Sequence, residues 1–388
     1  MQFVFTEEQI LIRDTAREFC NEHATSARVR AALAAPGGYE PALWSELLTM
    51  GWAGIAVPEA YGGSGLGWVE LCLLQAEQGR RLVPSPFFAT AALAAPLWLQ
   101  VATAAQQAEW LPALVSGAHQ FACAVTGAGG QPGATGLTAT LTPHRAGGYR
   151  LTGAANYVIH GQTADSLLVA ARAPGSTGDA GLSLVRVPAD ARGVTRTAQV
   201  MLDLTRPMSR VEFHAVDLPA EQVLGTAEAA GPALATVLQL ARIALAAECV
   251  GGAEYVLEMT TDYARQRVQF GRPIGSFQAV KHRLADMMVA VEAAKSAAWY
   301  AACVAAESPA ELPEAAAIAK SNCSDAFFNC AANGIQLHGG IGYTWDHDAH
   351  LYFKRARAAA TLLGSPAWQR EQLATLMGLG ASAAPPVY

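Results

Sequence analysis

The stretch ARQRVQFGRPIGSFQAVKH, residues 264–282, separates two long apolar-periodic segments that both read as helix. Its centre, Phe270-Gly271-Arg272-Pro273-Ile274-Gly275, stops one helix, turns and starts the next. Gly271 and Gly275 permit positive φ, Pro273 fixes φ and cannot continue a helix, and Arg272 falls at the tip. A plain helix-to-helix turn needs no residue as specific as Phe270 or Gln278. The stretch therefore reads as a grip on a ligand, against the simpler alternative of a turn with an exposed helix-end arginine at Arg267.

Working outward, segments 233–265, 277–307, 314–337 and 348–362 carry helical periodicity, which is bundle geometry. Between 121 and 224 the texture changes, with short apolar runs rich in β-branched residues at 121–126, 137–142, 149–153, 166–171, 182–187, 194–199 and 210–216. Residues before 119 return to helical patterning. Thr6 with Glu8 and Gln9 resembles a capped start, and Pro41 opens a second helix. The expected class is α+β: an N-terminal helical domain over 1–119, a middle β barrel or sandwich over 120–228, a C-terminal four-helix domain over 229–380 and a frayed tail over 381–388.

At 388 residues the chain exceeds one ordinary core. Hydrophobic residues make up 52% and charged residues only 15%, so the polar surface is thin and contact with other subunits is expected. The net charge of -6 and the lack of a basic run argue against nucleic acid. Seven scattered cysteines without CxxC pairs read as reduced thiols of a cytoplasmic protein, with Cys323 and Cys330 sharing a packing face. The start MQFVFTEEQ has no basic region and is interrupted by Glu7 and Glu8, so no signal peptide is expected. Apolar stretches 87–105 and 233–250 carry Pro96, Arg242 and Glu248, which favours buried helices over membrane spans. The glycine-dense loop 51–65 lacks the strand and Lys-Ser/Thr of a phosphate loop. Trp345-Asp346-His347-Asp348 reads as a helix cap rather than a metal site.

A second motif, QLHGGIGYTWDHDAHLYFKRA at 336–356, completes a pattern with the first. Together, and in this order of helical, β and helical blocks, they resemble the acyl-CoA dehydrogenase family of flavoproteins. The resemblance spans nearly the whole chain. It implies α,β-dehydrogenation of an acyl-CoA thioester, with a glutamate removing the α-proton and FAD taking the hydride. It implies that Arg267, Phe270 and Gln278 hold the FAD of a neighbouring subunit, and that Gln336, Leu337, His338, Gly339 and Gly340 cover its adenosine diphosphate end. It also implies Thr126 as a flavin contact, Arg242 near the substrate, and electron-transfer flavoprotein as an acceptor.

The departures are as informative. The family's base lies before a glycine after the second motif, or on the first helix of the last block before an arginine. Those positions are Leu363 and Ala241 here, and neither can take a proton. Glu248 lies seven residues on from Ala241, about 10 Å along a helix, as a weak candidate for a relocated base. The family's Thr-Glu-Pro-Gly-Ala-Gly-Ser-Asp segment survives only in Thr126, and its Trp-Ile-Thr segment is Tyr157-Val158-Ile159. The Thr and Gln after the base position are Ser365 and Ala367. Three functions remain open: a base-lacking subunit of a heteromeric dehydrogenase of the bacterial steroid type, a self-sufficient flavoenzyme (with a relocated base, or a monooxygenase on this fold), and a scaffold without flavin contact. The oligomer is expected to be a dimer or tetramer, with itself or a homologous subunit.

Overall fold

The computed structural model describes residues 4–144 and 147–379; the tail expected to fray over 381–388 lies outside them. Helices α1 (Glu7–His23), α2 (Ser26–Ala34), α3 (Pro41–Thr49) and α4 (Trp68–Arg81) open the chain. The Thr6 side chain and Gln9 cap α1 reciprocally, so the expected start is correct. A π-helical stretch, Phe88–Ala94, runs into α5 (Ala95–Val101), and α6 (Ala104–Val115) closes the block.

A seven-stranded mixed sheet follows: β1 (Phe121–Ala124), β2 (Thr140–Pro143), β3 (Tyr149–Ile159), β4 (Ser166–Arg172), β5 (Leu182–Pro188), β6 (Val194–Ala198) and β7 (Met208–Leu218). The order is β1-β4-β2-β3-β7-β6, with β5 on the free side of β4. β1 and β2 run parallel to β4, and the other pairs are antiparallel. β3 runs well past the expected 149–153, because two register shifts let it bend and stay paired with β7.

The last block is α7 (Gly231–Gln266), the hairpin β8 (Val268–Gln269) and β9 (Arg272–Pro273), then α8 (Gln278–Glu307), α9 (Leu312–His338), α10 (Ala349–Thr361) and α11 (Pro366–Leu376). The short α11 adds a fifth helix to the four expected. Its signal was Ser365-Pro366, an N-cap followed by proline, where Ser365 Oγ accepts from Trp368 N at 3.2 Å. α7 is long and apolar enough to cross a membrane, yet 78% of its most apolar window is buried in this fold. It seats against α4 through small residues. A Cβ on Gly251 would stand 1.8 Å from the Ala76 carbonyl oxygen, and one on Gly79 would stand 2.3 Å from that of Glu248. Cys323 and Cys330 both turn to α8, their thiols 3.3 Å from Ala294 O and 3.9 Å from Met287 O.

Candidate functional site

The expected residues fall into two regions at opposite ends of α7. At its C-terminal end, Val268 pairs with Pro273 and Gln269 with Arg272, which leaves Phe270-Gly271 as a two-residue hairpin loop. Both residues have positive φ, 53° and 78°, as such a loop demands. The tip is therefore Phe270-Gly271 and not Arg272, whose guanidinium lies 4.2 Å over the Phe277 ring. Gly275 does not use positive φ as expected. A Cβ there would stand 3.0 Å from Ala264 O, so glycine lets the turn press on the end of α7. Phe270 is 91% exposed although a left-handed backbone strains any bulky residue. Arg267 and Gln278 are also exposed.

The second motif meets this turn. Tyr263, whose carbonyl accepts the Arg267 N–H at 2.8 Å, stacks on His338 with ring centroids 4.4 Å apart and donates to the His338 carbonyl at 3.3 Å. His338 is buried, its Nδ1 held at 2.7 Å from Gly334 O, and its Nε2 is buried without a partner. Beyond it, Gly339 (φ 64°) and Gly340 have open space where a Cβ would stand. Gln336 is exposed and Leu337 half-buried. An exposed cation, an exposed aromatic and an open glycine corner fit a dinucleotide approaching from outside the chain. Asp348 occupies the N-cap position of α10 but caps nothing with its side chain. It bonds Arg30 Nη2 at 2.6 Å and Ser26 Oγ at 2.7 Å instead, tying α10 to α2.

At the other end of α7 lies a cavity of about 370 Å³ between the sheet and the C-terminal helices, walled by Thr126, Tyr157, Met208, Leu238, Arg242 and Leu363 among others. Leu363 (φ 58°) and Gly364 (φ 106°) form a left-handed turn after α10. The Leu363 carbonyl accepts from Arg242 Nε at 3.0 Å and from Gln369 Nε2 at 3.1 Å. α11 seats the Trp368 ring against the Arg242 guanidinium at 5.0 Å. Arg242 is 8% exposed, and burial pulls its pKa down to about 10, with no carboxylate among the described residues to oppose it. From α9, the fully buried Lys320 bonds Ala359 O at 2.9 Å and Ala360 O at 3.3 Å, holding the end of α10 where helix carbonyls concentrate. Burial lowers the Lys320 ammonium to about 8. Sequence reasoning missed Lys320, Trp368, Gln369 and Arg357, which also lines the cavity.

Of the two positions where the resemblance expects a base, Leu363 lines the cavity and Ala241 is wholly buried away from it. Glu248 does not line it either. It faces a separate void of about 20 Å³, room for about one water, whose wall includes Ile159. Its carboxylate is bonded by Arg206, by Gln75 Nε2 at 2.7 Å and by Arg355 Nη1 at 3.5 Å. Arg355 also lies 3.2 Å from Asp203. This buried network pins the 203–206 loop to α4, α7 and α10. It leaves Glu248 no free oxygen directed at a ligand in the large cavity.

Family models agree with this architecture. Residues 6–118 match the acyl-CoA dehydrogenase N-terminal domain and residues 231–378 the acyl-CoA dehydrogenase C-terminal domain. Acyl-CoA dehydrogenase IpdE2 of Mycobacterium tuberculosis is 37% identical over 363 residues, covering 93% of this chain and 94% of its own. Among solved structures, the Tcur3481-Tcur3483 steroid ACAD superposes with a TM-score of 0.86 at 34% identity, over 96% of this chain and 98% of its own. The ChsE4-ChsE5 complex from Mycobacterium tuberculosis gives 0.88 at 28% identity, over 98% of this chain and 100% of its own. The chain belongs to the acyl-CoA dehydrogenase family of oxidoreductases, whose members act with FAD.

Proposed function

We propose that this chain is the base-lacking subunit of a heteromeric, FAD-dependent acyl-CoA dehydrogenase. One observation carries the reading. α7 is a continuous helix from Gly231 to Gln266, and Arg242 precedes Gln266 by 266 − 242 = 24 residues, about 36 Å at about 1.5 Å per residue. The Arg267 grip and the Arg242 wall of the cavity therefore stand far apart on the same chain. The grip is thus aimed at a cofactor whose reactive ring belongs to another subunit, while this chain's own cavity has no base.

Bound FAD supplies the hydride acceptor. Arg267 would pair with its pyrophosphate, Phe270 would cover an apolar face, and Gln278 would supply hydrogen bonds; the open backbone at Gly339 and Gly340 would admit the diphosphate. Proton abstraction falls to the partner. Two relatives support the pairing, since the Tcur3481-Tcur3483 steroid ACAD and the ChsE4-ChsE5 complex are both named for two chains. A steroid-derived acyl-CoA is the substrate class this favours. The test is turnover of an acyl-CoA with a dye acceptor by the lone chain and by its complex with a homologous chain that has glutamate at the position matching Leu363 or Ala241. Activity only in the complex is expected. Efficient oxidation by the lone chain contradicts the reading.

A further inference from the structure

Among the described residues, the cavity beside Leu363 is lined by two guanidinium groups, Arg242 and Arg357, and by no carboxylate. Arg357 is exposed at its rim, and Arg242 is deep. The bonds made by Arg242 are to a carbonyl, through Nε, and to the face of Trp368. Neither partner carries a charge. Lys320, close behind it, is also bound by carbonyls and adds a third positive charge. A buried cation without a counter-charge is unfavourable, and a bound anion offsets that penalty. Most of the remaining wall is hydrocarbon: Val125, Met201, Leu202, Met208, Leu238 and Leu362.

We propose that this cavity binds an organic anion, a carboxylate carried on an apolar body, with Arg242 as its charge partner. The site has exchanged a proton-abstracting carboxylate of the protein for a carboxylate of the ligand. The turn that presents residue 363 persists, with Leu363 now adding apolar surface. The inference rests on the reading that this chain's own cavity performs no proton abstraction, and it makes the cavity a ligand site in its own right. For the family's thioesters it specifies an acyl group bearing a second, free carboxylate.

The test is calorimetric titration of the full-length chain with cyclohexanecarboxylate, with its neutral isostere cyclohexanecarboxamide, and with inorganic phosphate. The carboxylate is expected to bind at least about tenfold more tightly than the carboxamide, because a charge-assisted pair with Arg242 is lost in the amide. Arg242→Gln should erase the difference and leave carboxamide binding in place. Leu363→Glu keeps the arginine and neutralises it from the protein side, so it should erase the difference too; it decides the matter if Arg242→Gln does not fold. Equal affinity for the two analogues, no binding of the carboxylate, or phosphate binding as tightly as the carboxylate overturns the proposal. The measurement involves neither flavin nor turnover. A negative result leaves the two-chain reading standing, and an active lone chain leaves the binding result standing.

Discussion

The two ends of α7 have diverged in opposite ways. At the C-terminal end the three residues that the resemblance singles out, Arg267, Gln278 and a strained Phe270, are all exposed. At the end near Arg242 the family's backbone is present, including the left-handed turn at Leu363 and Gly364, but the titratable side chain is gone. On the proposed reading, the backbone of one site stands without a titratable side chain while another surface of the same chain faces a partner's cofactor.

The largest effect expected from breaking this contrast is at the grip. Arg267→Ala in the assembled complex should lower FAD affinity about tenfold or more, read as flavin absorbance retained after gel filtration, because it removes a charge-assisted pair with a diphosphate. Unchanged flavin content would assign the chain a scaffold role. Next comes Glu248→Gln. It strips a buried carboxylate from between Arg206 and Arg355, and chemical denaturation should show a loss of about 3 kcal/mol. Flavin retention per folded complex should not change, since Glu248 lies at neither end's working surface; a selective loss of turnover with stability intact would restore it as a base.

Acid should loosen the seam between the sheet and the helices. His160 follows β3, its Nε2 3.1 Å from Ser85 O, and burial drives its pKa down from 6.5 to about 3. Between those values the unfolded chain binds the proton and the folded chain does not. The stability due to a neutral His160 is thus complete above pH 6.5 and is lost as pH falls towards 3. At pH 5 the loss from this residue is about 2 kcal/mol, and His160→Gln should flatten the slope of unfolding free energy against pH. The smallest effect is at Phe270. Phe270→Asn should raise the stability of the lone chain by about 1 kcal/mol by suiting the positive φ, while weakening FAD retention in the complex. Opposite signs in the two assays would show that the strain serves the contact.

The sequence made the grip legible because its signals are local. A run of QFG, Pro and Gly between two periodic segments defines a turn whatever packs on it. The same locality misled on detail: Gly275 was read as a positive-φ residue, but it is small because Ala264 O stands close, a fact of tertiary contact. Asp346 or Asp348 reads as a cap from its place before a helix, but Arg30, 318 residues away in sequence, takes the Asp348 carboxylate from the backbone. Helix spacing alone makes Glu248 a weak candidate for a relocated base. The ion pairs that occupy it come from Arg206 and Arg355, which the chain brings from the loop before β7 and from α10. The charge imbalance around Arg242 could not be read at all until α10, α11 and the sheet closed the cavity. Absence of a counter-charge is a property of the enclosure, not of any one position.

The most direct test of the account is the flavin stoichiometry of the purified lone chain against that of its complex with a base-bearing homologous chain, taken from the visible flavin spectrum and protein concentration. The account predicts little or no FAD on the lone chain and bound FAD in the complex, lost with Arg267→Ala. A lone chain that carries one FAD per subunit and is reduced by an acyl-CoA would contradict it.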